Sequence, residues 1–412
     1  MKCLIDHHVV LSRAPEGPLA AQVGPFARSL REQGYTRGAL RQQVRLAAGF
    51  SRWLNQQGVA VRRLTSEHPP RYLRARARQV RPGRGDAAAL RHLLEFLRGA
   101  GVIPAEKPSA RPVRPAERWT TAYAQHLRDA RGLARATIVN YVPFIRRFLQ
   151  ERFGAGPVTL ARLAARDVVG FVQRQVPQLH PKRAKLLTTA LRSFLRYARY
   201  RGATTRDLAA AVPAVATWAM AGIPRAIAAA QVRQLLASID RRTAMGRRDY
   251  AILLLLARLG VRAGEVVQLE LDDIDWTAGH LRVRGKRGQR SALPLPGDVG
   301  QAIAAYLQRG RPASPSRRVF LRAKAPIRGF AGPGGVGSVV RHALHRAGIQ
   351  APTTGAHQFR HGLATEMLRH GASLSEIGAV LGHRSPQTTT LYTKVDLPAL
   401  RTLAVPWPGG GR

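Results

Sequence analysis

The sequence has almost no cysteine, since Cys3 is the only one among 412 residues. A disulfide within the chain needs two cysteines, so a fold held together by disulfides is excluded and a reducing compartment such as the cytoplasm is expected. Residues 1–8 lack the long apolar core of a signal peptide. The most apolar run, residues 251–257, is too short to span a membrane and has Arg248 and Arg258 close by. We therefore expect a cytoplasmic protein with no membrane partner.

Acidic residues are also scarce. The chain has 23 Asp and Glu against 67 Lys and Arg, a formal charge of +44, and all but a handful of the cations are arginine. This imbalance predicts a polyanionic partner, and the planar guanidinium suits phosphate because it donates two hydrogen bonds at once. A GC-rich coding sequence would also enrich arginine, but it does not account for the missing acids.

Several catalytic signatures are absent from the sequence. No Gly-Lys-Ser/Thr phosphate loop is present. Asp272, Asp273 and Asp275 are close in sequence, but we expect them in a turn before a β-hairpin rather than in a Mg²⁺ site. His7 and His8 are adjacent without other ligand residue types near them in the sequence. We therefore predict no cofactor and no metal, which disfavours a Mg²⁺-dependent nuclease or transposase.

Apolar residues at helical spacing predict two similar helical modules in the N-terminal half. Residues 90–101 align without gaps on residues 191–202, and residues 50–54 likewise match residues 145–149. The expected boundaries are an N-terminal module at 1–110 and a second module at 111–206, with a linker at 207–225. The alternative is that any two amphipathic helices on a basic background align this well.

Residues 226–412 are expected to form a third, mostly helical domain with one small sheet. Residues 281–284 and 291–295 flank a glycine-rich turn, which is typical of a β-hairpin. Helical spacing predicts helices in the rest of this domain; they fall at 229–239, 249–259, 262–269, 298–307, 338–347, 357–370 and 375–381.

This C-terminal part carries a set of residue types that suits metal-free exchange of phosphodiesters. A tyrosine can act as nucleophile and keep the bond energy in a phosphotyrosyl link, so no ATP is needed for rejoining. Arginines can hold a phosphate whose charge grows in the transition state, while lysine and histidine can move protons. The candidates, in chain order, are Arg262, Lys286, His357, Arg360, His383 and Tyr392.

The order of these motifs and the residues that flank them resemble those of the tyrosine recombinases, the lambda-integrase and Xer family. Arg262 lies in Gly-Val-Arg-Ala-Gly-Glu, Arg360 ends His-Gln-Phe-Arg, and Tyr392 follows Leu-Gly-His-Arg and a run of threonines. The resemblance is strongest from Gln231 to Tyr392 and looser before that. Phe359 stands where leucine is usual, and Gly362 with Leu363 stands where a hydroxyl residue and phenylalanine are common, but neither departure removes a catalytic group.

The resemblance implies a fold that is mainly α with a small antiparallel β-sheet, with N-terminal helical DNA-clamp modules and a mixed α+β catalytic domain. It implies Arg262 and Arg360 as the phosphate clamp, Lys286 as the acid for the leaving 5′ oxygen and His357 as general acid–base. His383 would donate to the phosphate and Tyr392 would attack. Glu265 is expected to hold Arg262, whereas His361, directly after Arg360, is expected to face elsewhere and to be structural.

The same resemblance implies a site-specific recombinase or integrase of a bacterial mobile element, acting near the nucleoid. Its expected partners are double-stranded DNA with inverted half-sites and a homo-tetramer on two duplexes, with strands exchanged through a Holliday junction. Accessory recombinases or DNA-bending proteins stay open as further partners, and residues 397–405 are expected to dock on a neighbouring protomer. The alternatives are a type IB topoisomerase-like relaxing enzyme that acts as a monomer, and a DNA-binding protein whose site has decayed.

Overall fold

The computed structural model describes residues 3–6, 9–105, 114–216, 225–285, 290–382 and 385–395. The chain separates into two compact units, of which one combines Met1–Lys107 with Ile223–Arg412 and the other is Pro108–Gly222. Within the described ranges, no helix has the length and hydrophobicity that crossing a membrane requires.

The N-terminal segment of the first unit is a small hairpin followed by four helices. Its elements are β1 (Cys3–Asp6), β2 (Val9–Leu11), α1 (Ala20–Glu32), α2 (Arg37–Gln56), α3 (His68–Ala77) and α4 (Asp86–Gly99). Thr36 caps α2 by accepting a hydrogen bond from the Ala39 amide. Phe26, Phe50 and Leu97 belong to one buried apolar cluster that the helices enclose.

The second unit is a helical module with its own core. Its helices are α5 (Pro115–Asp129), α6 (Arg135–Phe153), α7 (Ala165–Gln175) and α8 (Pro181–Tyr200). Tyr123, Phe148 and Phe194 lie in its apolar cluster. Gly101 and Gly202, which the gap-free alignment pairs, follow α4 and α8 with φ of +69° and +67°. Both positions therefore use the left-handed backbone that glycine adopts at low cost.

The C-terminal segment, which belongs to the first unit, is helical with a three-stranded antiparallel sheet in the order β3-β4-β5. Its strands are β3 (Ile274–Asp275), β4 (His280–Arg284) and β5 (Arg290–Pro294). Its helices are α9 (Ala229–Ala237), α10 (Ala244–Leu259), α11 (Ala263–Gln268), α12 (Gly297–Arg309), α13 (Pro333–Arg346), α14 (His357–Arg369), α15 (Leu374–Leu381) and α16 (Pro386–Thr389). A 3₁₀ turn, Thr390–Val395, follows α16. The expected mainly helical fold with a small antiparallel sheet is confirmed.

The centre of this segment is α10. The four consecutive residues Ile252, Leu253, Leu254 and Leu255, which together go once round the helix, are all buried, because α9, α11, α12, α13 and α14 all pack against it. Burial on all sides explains why the run at 251–257 is uniformly apolar. The helix thereby becomes a rigid support for the turn that follows it.

The two chain segments of the first unit meet at the loop between α1 and α2. The amide of Ile327 donates to the carbonyl of Gln33 at 2.8 Å. Gly34 has φ of +78°, and a Cβ added there would lie 2.4 Å from Cγ1 of Ile327. A side chain at position 34 would therefore collide with this contact.

Several short elements, among them the β1–β2 hairpin and α3, were absent from the sequence prediction. The β1–β2 hairpin is too short for an alternating pattern to stand out, although Val9 and Leu11 are buried in it. Helix α3 begins with His-Pro-Pro, a sequence that is typical of a helix break, but proline in the first turn of a helix costs no hydrogen bond.

Asp272 and Asp273 lie in a 3₁₀ turn before the β4–β5 hairpin, as predicted, whereas Asp275 pairs in β3.

Candidate active site

Arg262 is positioned by the sharp turn between α10 and α11. Gly260 ends α10 with φ of +58°, and a Cβ there would lie 2.9 Å from Leu381 Cδ2. Arg262 is the N-cap of α11, and its backbone amide donates to Glu265 Oε2 at 2.7 Å. Its guanidinium donates to Glu265 Oε1 at 2.8 Å while the side chain stays 43% exposed. The prediction that Glu265 holds Arg262 is confirmed.

Arg360 is enclosed beneath this turn. The residue is 3% exposed, and its Nη1 donates to the Gly260 carbonyl at 2.9 Å while its Nη2 donates to the Leu381 carbonyl. These carbonyls lie at the C-terminal ends of α10 and α15, where the helix dipoles are negative and favour a cation. Burial lowers the pKa of Arg360 to about 10, as does the positive charge of Arg262, whereas Glu265 and Tyr392 act in the opposite direction. The guanidinium remains charged at neutral pH.

Tyr392 lies in the 3₁₀ turn after α16 and is 2% exposed. Its ring packs in a small apolar cluster with Ala364, Ile377 and Leu381. Burial raises the pKa of the Tyr392 hydroxyl, and the charge of Arg360 opposes this shift. Tyr392 and Arg360 lie in one site, because the Leu381 carbonyl that accepts from Arg360 belongs to a residue of the same buried cluster as Tyr392.

The hydroxyl of Tyr392 meets a histidine that the sequence analysis set aside. Its oxygen lies 3.0 Å from Nδ1 of His361, and the two rings are edge-to-face at 5.7 Å. The expectation that His361 faces elsewhere is therefore wrong. A helical-wheel argument from Arg360 alone failed because the 3₁₀ turn brings Tyr392 to the side of α14 on which His361 lies.

His357 lies on the same side of α14, one turn before His361. The two imidazoles are edge-to-face with centroids 4.4 Å apart, and His357 is exposed. The i, i+4 spacing explains the contact, since residues four apart on a helix are neighbours. His357, His361 and Tyr392 thus form a continuous row of rings from solvent to the buried hydroxyl.

Two candidates, Lys286 and His383, lie outside the residues that the structure describes. The strands flanking Lys286 are described, and they pair as predicted, with Arg284 opposite Arg290. Arg284 is held by Glu270 at 2.8 Å and Asp273 at 3.1 Å. The segment 397–405, expected to dock on a neighbouring protomer, also falls outside the described residues.

The neighbouring arginines differ from Arg262 and Arg360 in exposure and partners. Arg258 pairs with Asp298 at 2.8 Å and Arg369 with Glu366 at 3.8 Å, and both are well exposed. Across the described ranges, no group of three or more His, Cys, Asp or Glu side chains is arranged to hold a metal ion. The site therefore consists of an arginine pair, a tyrosine hydroxyl and imidazoles, which together can bind a phosphate diester and exchange one of its esters.

Family comparison agrees with this chemistry. The model of the Phage integrase family matches residues 225–397, which include the arginine pair and Tyr392. The Phage integrase, N-terminal SAM-like domain model matches residues 120–202, which cover most of the second unit. Residues before 120 fall outside both matches.

Individual relatives give the same result. The chain is 59% identical over 409 residues to a protein named as an integrase/recombinase, y4rA, of Sinorhizobium fredii, and the match spans 99% of each chain. It is 32% identical over 305 residues to the tyrosine recombinase XerD of Mycobacterium tuberculosis, covering 70% of this chain and 95% of the relative. Part of this chain thus has no counterpart in that XerD match but is shared with y4rA.

Solved structures show the same fold. XerH recombinase bound to its palindromic difH substrate matches with a TM-score of 0.58 at 17% identity, over 74% of this chain and 99% of that one. A lambda integrase dimer, residues 75–356, bound to a COC′ core site matches with a TM-score of 0.52 at 18% identity, over 67% and 94%. With the relatives and the arginine–tyrosine site, these matches lead to one conclusion: this chain belongs to the phage integrase family of tyrosine recombinases, the site-specific DNA recombination enzymes.

Proposed function

We propose that this recombinase cleaves one DNA strand at a time by attack of the Tyr392 hydroxyl on a backbone phosphate. The new bond is a 3′-phosphotyrosyl ester, and the 5′ oxygen leaves with a proton. In the reverse step a 5′ hydroxyl attacks the phosphotyrosyl link and releases the tyrosine. The observation that carries this proposal is that Tyr392 packs in one buried cluster with Leu381, whose carbonyl accepts a hydrogen bond from the buried guanidinium of Arg360.

The arginine pair is the proposed clamp for the two nonbridging oxygens. Arg360 uses two of its N–H groups on helix C-terminal carbonyls, which fixes the plane of its guanidinium and leaves the other donors for the phosphate. Arg262 is fixed from one side by Glu265. Fixed donors stabilise developing charge without reorganising during the reaction.

The remaining proton transfers are assigned by residue type. Lys286, in the hairpin turn, is the proposed donor to the leaving 5′ oxygen. His357 is the exposed residue at the outer end of the row of rings. We propose that His357 and His383 bind the phosphate and exchange protons with it. Arg360 and Tyr392 are only 3% and 2% exposed, so both residues must become more accessible before a phosphate can reach them.

The substrate and setting follow the family resemblance. We propose inverted half-sites on duplex DNA, a tetramer on two duplexes and a Holliday-junction intermediate, with the gene belonging to a bacterial mobile element. The structure of a lambda integrase tetramer bound to a Holliday junction is one such assembly. The working compartment is then the cytoplasm, at the nucleoid.

A nicked suicide substrate tests the proposal. On this DNA the fragment after the cleavage point diffuses away, so the covalent protein–DNA adduct accumulates and can be measured on denaturing gels. Tyr392→Phe should bind the site like wild type and form no adduct, because only the hydroxyl is removed. Wild type should form the adduct in EDTA. An adduct from Tyr392→Phe at the wild-type level would refute the assignment, and relaxed circles from a monomer without recombinants would favour a topoisomerase.

A further inference from the structure

The position of His361 relative to Tyr392 has a consequence for the proton on the nucleophile. A phenol attacks phosphate as a nucleophile only when its proton leaves, and burial raises the pKa of this hydroxyl, so the proton does not leave unaided at neutral pH. Nδ1 of His361 lies 3.0 Å from the hydroxyl oxygen, within the distance that direct proton transfer needs.

We infer that His361 orients the Tyr392 hydroxyl and accepts its proton as the oxygen attacks. The inference rests on the function proposed above. In the forward step the bond from Oη to phosphorus forms, the bond from phosphorus to the 5′ oxygen breaks, and the hydroxyl proton moves to Nδ1 of His361. In the reverse step the same proton returns to the departing tyrosine oxygen.

The local structure suits this role in two ways. His361 is adjacent to Arg360 on α14, so the proton acceptor and the phosphate clamp are attached to one rigid element. The Thr365 hydroxyl donates to the His361 carbonyl at 2.9 Å, which adds a bond within α14 at this position. His361 must be protonated on Nε2 for Nδ1 to accept, and its ring packs edge-to-face with that of His357 at a centroid distance of 4.4 Å.

The arrangement also separates His361 from His357. His361 contacts the hydroxyl oxygen of Tyr392. His357 is exposed and lies one helical turn before His361 on α14. The resemblance alone assigned the acid–base role to His357. The geometry assigns the tyrosine proton to His361 and leaves His357 to the phosphate side of the site.

Two substitutions in the full-length protein separate orientation from proton transfer. His361→Asn keeps a hydrogen-bonding atom near the position of Nδ1 but is not a base, and His361→Ala removes both functions. Both should bind a core site normally and slow adduct formation on the suicide substrate by about 10²-fold or more, the usual contribution of a general base. His370→Ala, at the exposed end of the same helix, should form the adduct at the wild-type rate.

Added imidazole gives a readout that a structural role would not move. Imidazole should accelerate adduct formation by His361→Ala in proportion to its concentration and should leave wild type and His370→Ala unchanged. A substrate with sulfur at the bridging 5′ position should not rescue His361→Ala, because the defect lies in the nucleophile rather than in the leaving group.

Three results would overturn the inference. Adduct formation at the wild-type rate by His361→Asn would reduce His361 to a positioning residue, and faster formation by His361→Ala would make the contact a restraint on the tyrosine. A slow His361→Ala that binds DNA but gains nothing from imidazole would indicate a packing defect. In each case an inactive Tyr392→Phe would leave the proposed function standing, so the two failures are distinguishable.

Discussion

At the scale of single residues, the two arginines of the site differ in how much of the structure depends on them. Arg360 is 3% exposed and joins the ends of α10 and α15 through two carbonyls. The side chain of Arg262 is 43% exposed and bonds within its own turn to Glu265. Both serve the phosphate in our proposal, but only Arg360 also ties helices together.

We therefore predict that Arg262→Ala and Arg360→Ala each slow adduct formation by about 10²-fold or more, the usual loss for one oxyanion donor. Arg360→Ala should in addition lower the free energy of unfolding by about 1–3 kcal/mol, because two buried carbonyls lose their donor. Single-turnover cleavage and thermal unfolding measure the two effects.

Arg258→Ala is the matched control, since Arg258 is an exposed arginine paired with Asp298 one turn before the site. Arg258→Ala should change neither the rate of adduct formation nor the free energy of unfolding by much. If DNA affinity fell as steeply as cleavage in Arg262→Ala and Arg360→Ala, both residues would belong to the binding surface rather than to the reacting phosphate.

Gln358, between His357 and Phe359, leads to a prediction on stability. It is 1% exposed, and neither polar atom of its side chain has a hydrogen-bond partner among the described residues. A buried amide without partners costs about 1–3 kcal/mol, so Gln358→Leu should raise the thermal midpoint by a few degrees. Gln175 is also buried but donates to Glu151 at 3.2 Å, and Gln175→Leu should lower the midpoint. A lower midpoint for Gln358→Leu would mean that the amide has a partner such as water.

At the scale of elements, the hairpin after β3 carries the proposed acid. β4 and β5 pair in register and are anchored by Arg284 to Glu270 and Asp273, so the strands on either side of the turn are fixed. Lys286 in this turn is the proposed donor to the leaving oxygen.

Lys286→Ala should slow cleavage of ordinary DNA. A substrate with sulfur at the bridging 5′ position should largely restore the rate, because a thiolate leaves without a proton. Arg284→Gln offers a control that disturbs the base of the hairpin instead of the acid, and sulfur should not rescue it. Equal rates on both substrates for Lys286→Ala would move the acid role to Arg287 or His357.

The elements were predictable from sequence to unequal degrees. Helices such as α10 and α14 and the β4–β5 hairpin were predicted because apolar spacing and a glycine turn are local signals. The starts of α10 and α13 lie at residues 244 and 333 rather than at the predicted 249 and 338, because glycine or proline in the first turn is more typical of a loop. Helix α3 was missed for the same reason.

The candidate site shows a different limit. The arginine, histidine and tyrosine motifs could be identified in order from the sequence, and Glu265 could be assigned to Arg262 because they are one turn apart. The contact between His361 and Tyr392 joins residues 31 positions apart, so no local pattern predicts it. The only signal in the sequence was a histidine next to the motif arginine. Its contact with Tyr392 becomes visible only in the folded structure.

At the scale of the whole molecule, the N-terminal segment repeats the order of helices of the second unit, although only the latter matches the SAM-like domain. Arg37, Arg41 and Arg45 are exposed on one side of α2, four residues apart, and make no ion pair with any described residue. Arg37 lies in the first turn of α2, at the positive end of the helix dipole, where a further positive charge is unfavourable unless an anion binds nearby. We propose that this stripe binds DNA phosphates outside the core site.

Replacing all three arginines with glutamine should therefore weaken binding to a long site and flatten the slope of log affinity against log salt. The slope should fall by about 0.9 for each lost phosphate contact. Arg242, Arg317 and Arg369, each exposed and paired with a carboxylate, give a control triple with the same change in formal charge. An unchanged salt slope with loss of cooperative synapsis would instead make the segment a protein–protein module.

The central claim is that Tyr392 becomes covalently bound to DNA. The most direct measurement is mass spectrometry of the adduct trapped on the suicide substrate, after digestion of protein and DNA, to locate the residue that carries the nucleotide remnant. The account predicts a phosphotyrosyl remnant on the peptide containing Tyr392, joined to the 3′ end of the cleaved strand. A remnant on another residue, or a link to the 5′ end, would contradict it.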